Sequence, residues 1–356
     1  MNFTSFHQSI HKEELVRLLA CEGEEEKALF ARSRQLRNDT IGNNVYLRGL
    51  IEISNICIKD CLYCGIRKSN PHADRYSLSD EEILQAARYA WQNHYGSIVL
   101  QGGERNDPGF ILRIEKLLKE IKKLSHHELG ITLSLGEQTE DTYKRWFDAG
   151  AHRYLLRIET SNSQLYQKIH PQDKRHDFHT RLQCLRILQK CGYQTGTGVM
   201  IGLPFQTLED LADDLLFLKD MDIDMVGRGP YLEHRDTPLW TYREQLLPQD
   251  KRLRLGLHMI SCLRLLMPDI NIAATTALQA IAPDGRDKAL EIGANVIMPN
   301  ITPVAKRANY QLYENKPGID EGNEETTRRL IESIRQSGCD INPDSWGDSP
   351  HWQTKQ

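Results

Sequence analysis

Residues 57–65 read CIKDCLYCG, placing Cys57, Cys61 and Cys64 in a C-x3-C-x2-C spacing with no fourth cysteine nearby. Thiolates are soft ligands that suit iron–sulfur clusters and zinc. A 4Fe–4S cluster normally takes one thiolate per iron. Three thiolates on one short loop therefore hold three irons and leave the fourth open to a small molecule. Structural zinc is the competing reading, but it asks for a closed set of four ligands, usually in two pairs. His72 is the nearest extra candidate, and nothing pairs with it at finger-like spacing. Cys21, Cys184, Cys191, Cys262 and Cys339 are scattered. Of these, Cys184, Cys191 and Cys262 lie in helical patterns and read as buried thiols.

Other stretches also carry chemistry. In QGGE (Gln101, Gly102, Gly103, Glu104) two glycines let a backbone approach a ligand closely; a plain tight turn is the alternative. In YLLRIET, Arg157 and Glu159 stand two apart, so on a strand they share a face. Burying that pair is costly without a ligand or further partners, and a mutual salt bridge is the structural alternative. Thr275 and Thr276 offer hydroxyl and backbone donors to a carboxylate, although threonine is also an ordinary strand residue.

These residues need a frame. The chain has 356 residues, 39% hydrophobic and 26% charged, enough for a large core. Its net charge of −4 argues against a phosphate-tracking surface. No apolar run approaches the roughly 20 residues of a membrane span, and the polar N-terminus has no signal-peptide pattern. The expected compartment is the reducing cytoplasm, where clustered cysteines suggest metal or catalysis before disulfides.

From residue 45 onward, short β-rich runs alternate with amphipathic segments. The strands are read at 46–54, 97–102, 130–136, 153–159, 195–202, 224–229, 271–277 and 294–300. Ser79 with Glu82, and Thr207 with Asp210, have capping-box spacing, and Gly150 and Gly192 read as helix stops. Eight βα units over roughly 260 residues predict an α/β fold, a closed (β/α)8 TIM-type barrel; an open doubly wound sheet ranks second. The expected division is an N-terminal helical extension at 1–44, the barrel at 45–305, and a C-terminal extension at 306–356 that closes the barrel and ends in a polar tail. The last dozen residues carry no pattern that would order them. Barrel chemistry sits at the C-terminal ends of the strands and on the loops that follow: Cys57 lies a few residues past the first strand, and Glu104, Glu159 and Thr275 fall at the ends of the second, fourth and seventh.

The C-x3-C-x2-C spacing, with Tyr63 just before the last cysteine, resembles the signature of the radical S-adenosylmethionine (SAM) enzymes. RGLIEISNICIKDCLYCGIR, IVLQGGE, ITLSLGE, HRYLLRIET, GVMIGLPFQTLEDLADDLLFLKDMDIDMVGRGP, ATTA and GANVIMPNITP resemble the FeFe-hydrogenase maturase family HydE. The likeness runs from about residue 40 to residue 315, and the family's near relatives are biotin synthase and methylornithine synthase. It implies an oxygen-sensitive enzyme that reductively cleaves SAM at one 4Fe–4S cluster to a 5′-deoxyadenosyl radical. Cys57, Cys61 and Cys64 would bind the cluster. Gln101 to Glu104 would lie against the SAM methionyl group, Glu159 would hold the SAM amino group, and Arg181 its carboxylate. The apolar run around Met200 would suit the adenine, with core packing as the alternative. Arg157 would reach the anionic part of the substrate. Arg48, Thr132, Thr275, Thr276, Tyr310 and Tyr313 match polar positions lining the family's cavity, and Met298 would pack on the substrate or fill core.

The implied substrate is a small, anionic, cysteine-bearing iron complex. Implied partners are other hydrogenase maturases and a reductant such as ferredoxin or flavodoxin, with no nucleic acid and no membrane. Sulfur insertion or amino-acid rearrangement on the same scaffold is the enzyme alternative; an iron–sulfur carrier or zinc-stabilised scaffold is the non-enzyme one. Two departures stand out. Many family members carry a further cysteine group near the C-terminus, where this chain has only Cys339, so no second cluster is expected. The family's histidine beside the strand arginine is Ile158 here, expected to point away from the cavity.

Overall fold

The computed structural model describes residues 10–320 and 322–356. The first nine residues of the expected N-terminal extension thus lie outside the described residues. Eight parallel strands form the wall: β1 (Asn44–Ser54), β2 (Ser97–Gly102), β3 (Gly130–Ser134), β4 (Arg153–Leu155), β5 (Gln194–Thr197), β6 (Met225–Val226), β7 (Asn271–Ile272) and β8 (Val296–Ile297). Each pairs with the next, and β8 pairs with β1 through Tyr46–Val296 and Leu47–Ile297. The last seam is the thinnest. Asn295 N–H donates to the Ile272 carbonyl at 2.9 Å, and Ala274 N–H to that of Val296 at 2.9 Å, closing β7 onto β8. The barrel is complete, as the βα alternation requires.

The strands are shorter than the β-rich runs suggested, and the reason is local. The run at 195–202 breaks at Gly198, where a Cβ would stand 1.6 Å from the Gly227 carbonyl oxygen. Beyond that crossing, Met200–Ile201 pairs with Gly229–Pro230 as a separate two-stranded rim. The run at 153–159 leaves the ladder after Leu155, and Glu159 takes a left-handed backbone, φ +68°.

Helices cover the wall. Ser79 and Thr207 each close a capping box, with Glu82 and Asp210, on the helices Asp80–Gln92 and Leu208–Asp220. Gly150 and Gly192 end their helices at φ +113° and +87°. The N-terminal helices Lys12–Ala20 and Glu24–Ile41 pack on Leu208–Asp220 and Gln249–Leu266, adding a layer to one side of the barrel.

The C-terminal segment reaches both ends of the barrel. Near the strand C-termini, Leu312 accepts from Gly65 N–H at 3.0 Å. At the other end, residues 345–348 cross the floor. Arg153 donates to the Trp346 carbonyl at 2.6 Å and the Asp348 carboxylate at 2.7 Å, while Arg48 and Asn271 donate to the Gly347 carbonyl at 3.0 and 2.7 Å. The tail is therefore a packed floor plate, which corrects the expectation of disorder: buried strand-end side chains supply the order that the tail's own pattern lacks.

Candidate cluster and cofactor site

The three cysteines lie on the loop that leaves β1, and neighbours fix that loop through its backbone. Ile58 N–H donates to the Glu104 carbonyl at 2.9 Å, Leu62 N–H to that of Ile169 at 3.0 Å, and Asp60 N–H to His176 Nε2 at 2.9 Å. Cys57 Sγ accepts from Lys59 N–H at 3.4 Å. Gly103 is required here. A Cβ on it would stand 2.4 Å from the Ile56 carbonyl and 2.9 Å from Cys57 Cβ, so its closeness serves the cysteine loop itself.

The thiols fit a cluster. All three are partly exposed. Burial, and then the charge of Cys57, push the Cys61 thiol up to about 12; burial, then Cys61 and Cys57, push Cys64 up. The three sulfurs therefore sense one another, and three thiolates become affordable together only beside strong positive charge such as iron. No three His, Cys, Asp or Glu side chains among the described residues are gathered around a single metal ion. A donor set with one thiolate for each of several irons meets this geometry better than a zinc site does. His72 is exposed, its backbone N–H donating to Asn70 Oδ1 at 3.0 Å.

Two charged groups flank the thiols. Glu104 and Arg181 belong to a buried quartet completed by Lys59 and Glu137. Lys59 Nζ lies 2.7 Å from Glu137 and 3.3 Å from Glu104; Arg181 lies 2.6 Å from Glu137 and 3.5 Å from Glu104. Across the mouth, Arg157 grips Glu159 through Nε at 2.9 Å and NH2 at 2.8 Å, and also donates to the Gly227 and Val199 carbonyls. The two side chains meet as the sequence suggested, but past the strand end: the left-handed turn at Glu159, and not strand alternation, brings them together. The neighbouring Ile158 is fully buried in the core cluster.

Tyr63 is partly buried, its hydroxyl 3.4 Å from His170 Nε2. Met200 sits with Leu165, Ile169, Leu203, Tyr231 and Leu239 in a small apolar group against Leu62 and Tyr63. Gln101 donates to the Tyr310 hydroxyl at 3.3 Å. A Cβ on Gly102 would stand 3.3 Å from its nearest neighbours, a tight contact that Gly103 exceeds by far.

The remaining residues fall on two levels. Thr275 and Thr276 open the helix Thr276–Ile281 after β7, and the Thr275 hydroxyl is buried without a hydrogen-bond partner. Beside the end of β2 is Tyr310, and its hydroxyl and that of Tyr313 are pushed up by burial and then by Glu52. Glu52 is itself buried, paired with Lys316 and accepting from Asn300 at 3.0 Å. Arg48 and Thr132 lie toward the floor. Arg48 is spent on Met225 Sδ and the tail, and the Thr132 hydroxyl accepts from Arg153 at 3.0 Å. Together with Met298 and Gly227 they line an internal cavity of about 20 Å³ on the barrel axis. Such a space holds about one water. Gly227 joins the levels, since Arg157 bonds its carbonyl from above.

Sequence reasoning missed Lys59, Glu137, Glu52 and Lys316. Two carried a signal: Lys59 stands between two cysteines of the motif, and Glu137 ends LSLGE. Cys339 is buried, with Arg37 NH1 donating to its sulfur at 3.1 Å.

A closed parallel barrel with three cysteines on its first loop is the architecture of a radical SAM enzyme, and the model of the radical SAM superfamily matches residues 51–218. The chain is 47% identical over 291 residues to the [FeFe] hydrogenase maturase subunit HydE of Thermotoga maritima, covering 82% of this chain and 80% of that protein. It is 30% identical over 304 residues to 3-methylornithine synthase of Methanosarcina acetivorans, 84% and 82% of the two chains. The solved structure of methylornithine synthase (PylB) superposes with a TM-score of 0.80 at 24% identity, covering 95% of both chains. At that identity the superposition speaks for the fold. The chain belongs to the HydE family within the radical SAM superfamily.

Proposed function

We propose that this chain is a radical SAM enzyme of [FeFe]-hydrogenase maturation, with its 4Fe–4S cluster on Cys57, Cys61 and Cys64 and SAM at the open iron. The observation that carries the residue assignment is the meeting of three mutually sensing thiols, the Lys59–Glu104–Glu137–Arg181 quartet and the Arg157–Glu159 pair at one barrel mouth. When bound, the cluster supplies the electron that cleaves SAM to a 5′-deoxyadenosyl radical.

The chain's own residues bind and exclude. Arg181 offers its guanidinium to the SAM carboxylate and Glu159 its carboxylate to the SAM ammonium, opposite charges that fix the direction of a zwitterion. Gln101 and Gly102 present the end of β2 to the methionyl group, and Met200 and Tyr63 an apolar flank to the adenine. The segment carrying Tyr310, Tyr313 and Lys316 packs on the mouth and limits water there. Thr275, Thr276 and Arg157 stand on the substrate side of the mouth, with Arg48, Thr132 and Met298 around the small cavity beneath it. The substrate is a small anionic iron complex bearing a cysteine, attacked at sulfur. It comes from a companion maturase, and the electron from a ferredoxin or flavodoxin. The reading places the chain in the cytoplasm and divides it at 1–44, 45–305 and 306–356. No helix among the described residues is long and apolar enough to cross a membrane.

Anaerobic reconstitution tests the chemistry. About four irons per chain should load, and reduction should cleave SAM. Replacing any one of Cys57, Cys61 or Cys64 by Ala should abolish that cleavage; retained activity would sink the cluster assignment. Complementation of a hydrogenase system lacking this maturase tests the role. The likeness to 3-methylornithine synthase favours one other reading, rearrangement of an amino acid. Amino-acid turnover without hydrogenase activation would select it.

A further inference from the structure

The buried quartet contains two residues to which no role falls in cofactor binding, Lys59 and Glu137. Its four members come from four elements: the cysteine loop, the end of β2, the loop after β3, and the helix Phe178–Lys190. Their side chains are only 3, 8, 12 and 11% exposed, for Lys59, Glu104, Glu137 and Arg181. The contacts run in a ring of alternating sign, Lys59–Glu104–Arg181–Glu137 and back to Lys59. Two positive and two negative charges leave the ring neutral.

Neutrality matters because of what Arg181 must do. Two buried carboxylates against one guanidinium would make a site of net −1, and that field opposes an incoming carboxylate. Lys59 divides the attention of both carboxylates, since its ammonium touches Glu104 and Glu137. It is itself pinned by donation to the Arg175 carbonyl. The same residue lies two positions from Cys57 and two from Cys61, so one ammonium ties the cluster loop to the SAM-binding arginine.

We propose that Lys59 is a positioning residue that balances Glu104 and Glu137 and so keeps Arg181 receptive to the carboxylate of SAM. The proposal rests on the reading that Arg181 holds that carboxylate. It assigns Lys59 a charge role that packing alone would not give, and Glu137 the part of the charge being balanced.

The test uses the reconstituted chain with its cluster oxidised, so that SAM binds without being cleaved. Iron content and the SAM dissociation constant by calorimetry are both read. Lys59→Met should raise the dissociation constant about tenfold, the scale of one uncompensated charge close to the ligand, while iron content is unchanged. Lys59→Arg should stay within about threefold of the parent, because it keeps the charge. The double variant Lys59→Met/Glu137→Gln restores neutrality and should bind SAM better than Lys59→Met alone, the coupling that a double-mutant cycle isolates. A purely structural Lys59 would make the double variant no better than the single, and that result overturns the proposal. If Lys59→Met loses its iron, Glu137→Gln alone decides: with the ring at +1 it should bind SAM at least as tightly as the parent, and weaker binding overturns the idea. Arg181→Gln separates the two levels. If it loses SAM affinity while Lys59→Met keeps it, the Arg181 reading stands and the Lys59 proposal falls. If Arg181→Gln binds SAM as the parent does, the reading beneath the proposal fails with it.

Discussion

Arg157 shows how a pairing is read correctly for an incomplete reason. Its partnership with Glu159 was visible in YLLRIET, because opposite charges two apart in an apolar run need each other or a ligand. The left-handed turn at Glu159 was not visible: a glutamate announces no such backbone, and only the surrounding bonds hold it there. Those bonds run from Glu159 N–H to the Gly198 carbonyl at 3.0 Å and from Met200 N–H to the Glu159 carbonyl at 2.9 Å. Arg157 is spent on Glu159, Gly227 and Val199, so under the proposed role of Glu159 it would act on SAM as well as on the substrate. Arg157→Lys cannot reproduce two parallel bonds to one carboxylate. It should weaken SAM binding roughly fivefold to tenfold, a loss of about 1–1.4 kcal/mol, with iron content intact. An unchanged SAM affinity would confine Arg157 to the substrate. Lys59 and Glu137 escaped notice for a related reason. Their meaning is a contact between loops about 80 positions apart, which no periodicity in either loop encodes.

Loops and strands tell a different story. The eight runs were legible because buried parallel strands are dense in β-branched and apolar residues and are spaced by helices. Their ends were not, since ladder termination depends on where another backbone crosses, as at Gly198 under Gly227. The QGGE turn was singled out for closeness to a ligand, and one of its glycines also meets a neighbour that reading did not name. Gly103 packs on the cysteine loop, whereas a Cβ on Gly102 would meet Ile53, Ser54 and Leu135 at 3.3–3.4 Å, a tight fit that asks these neighbours to give by only a few tenths of an ångström. The two glycines should therefore separate on substitution. Gly103→Ala forces the loop after β2 away from Ile56 and Cys57, and iron loading should drop well below the parent's. Gly102→Ala should load iron normally. Equal loading by both variants, measured as iron and sulfide per chain, would show that the backbone contact does not hold the cluster loop.

At the scale of the molecule, the barrel works because both ends are closed, and the floor is the end that sequence could not supply. Trp346, Gly347 and Asp348 follow no hydrophobic period; they are ordered by Arg48, Arg153 and Asn271, which stand at or near the N-terminal ends of β1, β4 and β7. Arg153 is fully buried, and Asp348 is the carboxylate that faces it at 2.7 Å. Burial pushes the Asp348 carboxyl up, but the hydrogen bond from His152 and the charge of Arg153 outweigh it and hold it well below the usual range. His152 is pushed down to about 3 by burial and then by Arg153, so between pH 7 and pH 5 it is neutral and gives Asp348 a hydrogen bond. A carboxyl with a lowered folded-state value binds fewer protons folded than unfolded. Its stabilisation is therefore fully present above the unfolded value near 4 and is lost as pH falls toward the folded value. Asp348→Asn leaves Arg153 buried without its counter-charge, which should cost about 3 kcal/mol at pH 7. The gap between parent and variant should be the same at pH 5 and narrow by pH 3, where the parent begins to lose what the variant lacks. Urea unfolding of the cluster-free chain at the three pH values measures this without interference from acid loss of iron. A gap that persists undiminished at pH 3 would mean that Asp348 holds the floor by packing and neutral hydrogen bonds alone.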